Sequence, residues 1–319
     1  ELTMLYKKFN GKILTFKDKQ YPTTLKNMND FPPAISYIGN LNLLNDKNIA
    51  IVGARKSSLP FLYFTEKLAN NLVKCKGINI VSGLAFGVDT YAHKGAIYDN
   101  SSRTIVVLPH GIDHSVYPIN NLKLYQNIIR NGGLILSEFP LFAPPGPMSF
   151  HQRNRIIAGL SLGIIVIQAS INSGSLITAK YGLDYNRQIF AVPGAPMSAL
   201  SEGTNHLINQ GAQIITSVSD TSAIIHNLTL LNNLDNSNNS NNFNTMSLKD
   251  DTFQDKIVVL NDHKTKILNL LSHDYPVTVE TIAQHLHLSI QIVRVALVEL
   301  SLQGNIIIND NDSVLLINI

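Results

Sequence analysis

Seven short apolar runs alternate with six amphipathic segments between residues 48 and 216, and this alternation limits the folds open to the chain. The first run is NIAIVG at 48–53; others follow at 79–83, 104–109, 134–138, 163–168, 188–192 and 213–216. Apolar residues at helical spacing, beginning with Phe61, Phe64, Leu68 and Leu72, predict helices over 59–76, 88–98, 120–131, 150–161, 175–186 and 203–210. Strands without polar alternation need cover on both faces, which amphipathic helices supply. The expected architecture is α/β, a doubly wound and mostly parallel sheet.

Ahead of the first run, residues 1–47 are a proline-punctuated lead-in, with Tyr21-Pro22 and Phe31-Pro32-Pro33 expected to lie extended along the sheet domain. Residues 227–256, rich in Asn and Ser, are too polar to bury enough surface to order themselves and read as a linker. Residues 257–319 hold helical patterns at Lys264–Leu271, Val279–Leu286 and Ile290–Gln303, with a turn at His287-Leu288-Ser289. Gly304 stops the last helix, and two apolar strands around Asn309–Asp312 complete a winged-helix pattern with a two-stranded wing. Its recognition helix carries only Arg294, while Glu299, Asp310 and Asp312 are acidic, which favours an accessory or protein-contact role over duplex reading.

No apolar run approaches the ~20 residues that span a bilayer, and the N-terminus lacks a secretory signal's basic and apolar stretches. A cytoplasmic protein is expected. The single cysteine, Cys75, falls on the apolar face of a predicted helix, which leaves no disulfide framework or cysteine zinc cluster. A net charge of +3 says little about nucleic acid by itself; where the cations fall matters more. Neither a Walker phosphate loop nor a G-x-S-x-G nucleophile elbow occurs, and His110 and His114 flank a loop without the carboxylate cluster a metal site wants.

In an open parallel sheet, ligands gather at loops leaving the carboxyl ends of strands, and a helix N-terminus behind small residues offers N–H groups to an anion. Ser173-Gly174-Ser175, with Thr178 beyond it, fits that description either as a phosphate nest or as a tight turn with a cap. Gly53-Ala54-Arg55 leaves the first strand. Arg55 stands where a dinucleotide fingerprint needs its second glycine, so no nicotinamide or flavin cofactor is expected. It directs a five-donor fork to the ligand edge instead, beside Lys56 and Ser57. Phe150, Arg153, Asn154 and Arg155 open a predicted helix, where two arginines two apart would flank a groove and grip neighbouring phosphates. Phe150 either stacks a base or joins the core. Asp89 either caps the next helix or orients Arg55, and Lys180 faces either way.

Phe150-x-x-Arg153-Asn154-Arg155-Ile156-Ile157, Ser173-Gly174-Ser175-Leu176-x-Thr178-Ala179, Gly53-Ala54-Arg55 and Ser82-Gly83-x-Ala85-x-Gly87-Val88-Asp89 resemble motifs of the DNA-processing protein A (DprA/Smf) family. Gly132-Gly133-x-Ile135-x-Ser137-Glu138, Pro193-Gly194 and Gly203-Thr204-Asn205 agree, so the resemblance spans about residues 11–220. It implies an extended Rossmann-like domain over 48–226 that binds single-stranded DNA, protects it, and hands it to the recombinase RecA in natural transformation. It also implies a homodimer without catalytic activity, DNA contacts from Arg55, and a role for Arg187. Family members often carry a helical domain ahead of the point where this sequence begins, and some place a lysine where Pro147 stands here. Two other readings compete. A nucleotide phosphoribohydrolase would want a glutamate where Lys180 stands, with Asp89 and Glu138 as substitutes, and a winged-helix regulator would bind duplex DNA.

Overall fold

A computed structural model describes residues 11–75, 77–221, 224–225, 228, 264–271, 277–286, 288, 290–302, 306–308 and 313–316. The expected linker, apart from Leu228, and the wing tip at Asn309–Asp312 lie outside the described residues. Two compact units divide the chain, residues 1–241 and 242–319.

The strands of the first unit are β1 (Lys12–Thr15), β2 (Ala34–Gly39), β3 (Lys47–Val52), β4 (Ile78–Ser82), β5 (Ile97–Tyr98), β6 (Ser101–Ser102), β7 (Thr104–Leu108), β8 (Leu134–Ser137), β9 (Gly163–Val166), β10 (Gln188–Ala191) and β11 (Gln213–Ile214). β5 and β6 form a separate small hairpin, and the other nine make one sheet in the order β1-β2-β8-β7-β4-β3-β9-β10-β11. From β8 to β11 every neighbouring pair is parallel. β3, β4, β7 and β8 step outward to one side, while β9, β10 and β11 step to the other. The connections therefore diverge between β3 and β9, and a crevice opens at the carboxyl ends of those two strands.

Alternation along each strand feeds two cores. In β3, Ile49 and Ile51 join the cluster of Leu68, Leu72 and Phe190, whereas Ala50 and Val52 join that of Ile156, Ile157 and Val166. Neighbouring side chains point to opposite faces, so a strand apolar throughout must be covered twice. Helices Leu59–Lys74 and Val88–Gly95 cover one face, and Pro147–Leu160 and Gly174–Asp184 the other. Leu228, expected in the linker, is buried in the first of these clusters and packs where a Gly163 β-carbon would sit.

The lead-in does more than lie along the sheet. β1 and β2 extend it as an antiparallel edge, with Ser36 opposite Ser137 and Gly39 opposite Leu134. Gly39, at φ +105°, approaches the Gly133 carbonyl too closely for any side chain. Tyr21, Leu25 and Met28 are buried in the same core as the Pro147–Leu160 helix, Met28 Sδ meeting the helix backbone at Gly159.

That helix starts three residues before the expected Phe150. Gly146 is its N-cap, Ser149 Oγ accepts from the Gly146 N–H at 2.9 Å, and Pro147 occupies the first turn, where its fixed φ suits a helix and its missing N–H is harmless.

In the second unit, the helix over 264–271 and helices Val279–Leu286 and Ile290–Leu302 enclose Ile267, Ile282, Val293 and Leu297. β12 (Val277–Thr278), β13 (Ile306–Ile308) and β14 (Ser313–Leu316) form an antiparallel sheet in the order β12-β14-β13. The wing sheet is thus three-stranded rather than two-stranded, because Val277–Thr278 pairs with β14 just ahead of its helix.

Candidate functional site

A groove of about 260 Å³ occupies the crevice where β3 and β9 part. Four segments build it. Gly53 and Arg55 follow β3, Ala85 and Asp89 follow β4, and Ser173, Gly174, Ser175 and Thr178 follow β9. Phe150, Arg153, Asn154 and Ile157 come from the Pro147–Leu160 helix at spacings of i, i+3, i+4 and i+7, one helical face.

Arg55 is exposed, and its guanidinium carbon lies 4.9 Å from the Phe150 ring centroid. Cations over aromatic faces are held by the ring quadrupole. On the same ring Arg153 stands 5.8 Å away, and Tyr117 meets it edge-on at 5.8 Å. Phe150 is half-buried, so it is neither a core residue nor a free one. The β3 loop is fixed from both sides. Ala54 N–H donates to the Gln168 carbonyl at 2.6 Å, and Gln168 Oε1 accepts from Ser57 Oγ at 2.6 Å and from Ser58 N–H at 3.0 Å. Ser57 is therefore a tether for the loop and not a groove residue. Gly87, at φ +73°, lets the next helix come against the backbone of Ala54 and Arg55.

Arg153 is almost fully buried. Its guanidinium donates to the Gly83 carbonyl at 2.8 Å and to the Val107 carbonyl at 2.5 Å, the open ends of β4 and β7. Burial lowers its pKa to about 10, with Asp89 opposing and Arg55 reinforcing the shift, so it remains charged at neutral pH. Asp89 accepts from Gly83 N–H at 3.2 Å and Ala85 N–H at 3.3 Å. Burial raises its pKa, and Arg153 opposes the rise. Asp89 thus organises the β4 loop; its partners are loop amides, not Arg55. Leu84 within this loop has φ +59°, a left-handed conformation held by a Leu84 N–H bond to His93 Nε2 at 3.2 Å and an Asn121 Nδ2 bond to the Leu84 carbonyl at 2.9 Å.

Ser173 caps the Gly174–Asp184 helix, its Oγ accepting from Ser175 N–H at 3.3 Å and lying 2.7 Å from Ser175 Oγ. Asn154 Nδ2 donates to the Gly174 carbonyl at 3.2 Å, which joins the two helices across the groove. A helix N-terminus, three hydroxyls and an exposed arginine over an aromatic ring can together take a phosphate with a base beside it.

Arg155 is corrected. It points away from the groove and is ion-paired with Glu138, donates to the Asp30 carbonyl, and reaches Asp30 Oδ2 at 3.5 Å. The reason is the earlier helix start: residues two apart inside a helix diverge by about 200°, so Arg153 and Arg155 cannot flank one groove. Lys180 is exposed but does not line the groove, being two residues past Thr178 on the same helix. Arg187 donates to the carbonyls of Thr24 and Gly159, away from the groove. Lys56 is exposed and lines a neighbouring depression with Arg55. Gln168, His93, Asn121 and Tyr117 escaped sequence reading; the 150, 153, 154, 157 spacing would have identified the correct face.

Among the described residues, no cluster of three or more His, Cys, Asp or Glu suits a metal ion, and no helix is long and apolar enough to cross a membrane.

A parallel sheet with a cationic groove at its switch point defines a Rossmann-like ligand-binding domain, here followed by a winged-helix domain. The family model described as DNA recombination-mediator protein A matches residues 12–226, and that of the DprA winged helix domain matches 255–307. The chain belongs to the DNA recombination-mediator protein A (DprA/Smf) family. It is 42% identical over 206 residues to DNA processing protein DprA of Streptococcus pneumoniae, covering 65% of this chain and 71% of that one. It is 36% identical over 222 residues to Protein Smf of Escherichia coli, covering 69% of this chain and 57% of that one. The solved structure of the Streptococcus pneumoniae protein superposes with a TM-score of 0.63 at 39% identity, over 69% of this chain and 76% of that one. DNA processing protein A of Helicobacter pylori, whose structure is described as giving insight into a unique single-stranded DNA binding mode, superposes at 0.61 with 33% identity, over 68% of this chain and 97% of that one.

Proposed function

We propose that the chain is a non-catalytic, cytoplasmic, single-stranded DNA-binding protein that protects incoming strands and passes them to a RecA-type recombinase during transformation and recombination, working as a homodimer. The observation that carries this reading is the exposed Arg55 guanidinium over Phe150, facing the Ser173-Gly174-Ser175 helix start. In this scheme Arg55 and the helix terminus hold a phosphate, Phe150 stacks a base, and Arg153 shapes the floor of the groove. Such contacts grip the backbone and one ring face, so little sequence preference is expected.

The hydrolase alternative receives less support. Asp89 is buried with its carboxylate taken by loop amides, and Glu138 is paired with Arg155, so each has a structural task already. Duplex reading by the second unit would rest on Arg294, the one basic residue of its last helix, which is exposed.

Titration of oligo-dT against the wild-type chain and Arg55→Ala at two salt concentrations tests the proposal. A contact with one phosphate predicts weaker binding and a log–log salt slope shallower by about 0.7. Unchanged affinity and slope in a folded variant would refute it.

A further inference from the structure

Arg55, Phe86 and Tyr117 link the groove to a second surface. The depression holding Arg55 and Lys56 also contains Phe86, and Phe86 borders another, of about 400 Å³, with Val116, Tyr117 and Ile119. Tyr117 in turn meets Phe150 at the groove. The three hollows are therefore one continuous surface around Arg55 and Phe150.

We propose that Phe86, Tyr117 and Ile119 form a second base-stacking track that receives the nucleotides following those in the groove. The inference rests on the single-strand reading above. Phe86 is 45% exposed, Tyr117 46% and Ile119 62%, so three large apolar side chains face solvent side by side. Contiguous exposed apolar surface of this kind marks a binding site. Arg55 and Lys56 are the cations lining the adjoining hollow, and neither hollow outside the groove is lined by a carboxylate. An acidic or purely aliphatic partner uses only half of that pattern; a flexible polyanion with aromatic rings uses both halves.

The track is built to stay in place. Asn121 Nδ2 donates to the Leu84 carbonyl at 2.9 Å and to Thr90 Oγ1 at 2.9 Å, and Thr90 Oγ1 donates to the Ala85 carbonyl at 2.7 Å. Buried Asn121 thereby bolts the turn carrying Tyr117 and Ile119 to the loop carrying Phe86. The left-handed Leu84 turns that loop so that Leu84 is buried while Phe86 projects outward. Stacking between bases and fixed rings needs such rigidity, because ordering the rings on binding would consume the gain. Stacking on these rings needs bases with a free face, which a single strand offers along its length and the interior of a duplex does not.

The test compares dT3 with dT12 on the full chain. Phe86→Ala and Ile119→Ala change exposed side chains that do not line the groove and should melt as wild type does. The track predicts that each binds dT3 as wild type does but binds dT12 about ten-fold more weakly, the order expected for losing one stacked base. Arg55→Ala weakens both lengths. The chain has no tryptophan, so Phe86→Trp provides a single indole whose fluorescence should be quenched by dT12 and not by dT3. Wild-type affinity of both alanine variants for both lengths, with Arg55→Ala still impaired, overturns the track and leaves the groove reading intact. Failure of the wild-type chain to bind either oligonucleotide overturns both.

Discussion

The Arg153 guanidinium occupies the space that a β-carbon on Gly83 would need, and it donates to the carbonyl of that same glycine at 2.8 Å. The two residues are 70 apart in sequence and fit only as a pair. Gly83→Ala should therefore displace a buried, charged side chain from its hydrogen bonds to the Gly83 and Val107 carbonyls. Overpacking of this kind costs about 1–3 kcal/mol. Urea unfolding measures it, and because Arg153 also stands over Phe150, oligo-dT affinity should fall in parallel. A Gly83→Ala protein as stable as wild type would show that Arg153 has room to move.

Arg155 and Glu138 present a different balance. Burial raises the pKa of Glu138, while the charge and hydrogen bond of Arg155 pull it down. Removing one partner of a buried pair leaves the other charge stranded and costs about 3–5 kcal/mol. Here half-exposed Asp30 also contacts Arg155, so Glu138→Ala should fall at the lower end, about 3 kcal/mol, by chemical denaturation. Arg155→Gln, which removes the charge, should likewise lose stability yet keep the wild-type salt slope for oligo-dT. A shallower slope in that variant would restore Arg155 as a phosphate contact.

Sheet class and strand positions were legible because burial on both faces leaves runs such as 48–53 apolar throughout, a local property. The lead-in strands β1 and β2 were hidden, since four to six residues among prolines and glycines carry too little periodicity. The start of the Pro147–Leu160 helix was obscured because Pro144, Pro145, Gly146 and Pro147 read as a turn, although proline suits a first helical turn. That misplacement by three residues put Arg155 on the wrong side. Arg55, Phe150 and Ser173 to Thr178 were found because each lies at a strand exit or helix start, positions that sequence reveals. Tethers such as Ser57 to Gln168, 111 residues apart, depend on topology and leave no local signal.

Two readings of Ser173, cap and phosphate nest, make different demands on one side chain. Ser173→Asp preserves a good N-cap but adds a negative charge facing the groove. Stability should stay near wild type while oligo-dT binding is lost. Ser173→Ala should reverse the emphasis, losing about 1 kcal/mol of stability with a smaller effect on binding. If Ser173→Asp binds oligo-dT as wild type does, Ser173 serves only as a cap.

His93 gives a pH signature to the loop that presents Phe86. Thr104 Oγ1 donates its single hydrogen to the Ile80 carbonyl at 2.7 Å, so His93 Nδ1–H must donate to Thr104 at 2.8 Å. Nε2 then accepts from Leu84 N–H, and neither nitrogen has room for another proton. Burial, with Arg153 adding to it, pushes the pKa from 6.5 down to about 3. A depressed histidine means that the unfolded chain binds the proton first. Its contribution is complete above pH 6.5 and declines as pH falls towards 3, by about 2 kcal/mol between pH 6.5 and 5. Asp89 and Glu138, whose pKa values burial raises, act in the opposite direction on acidification, so total stability mixes both signs. The difference between wild type and His93→Asn isolates the histidine, since asparagine keeps a donor for Thr104 and does not titrate. That difference should shrink steadily from pH 7 to pH 5 in urea unfolding; a constant gap would mean that His93 is protonated in the folded protein as readily as in the unfolded chain.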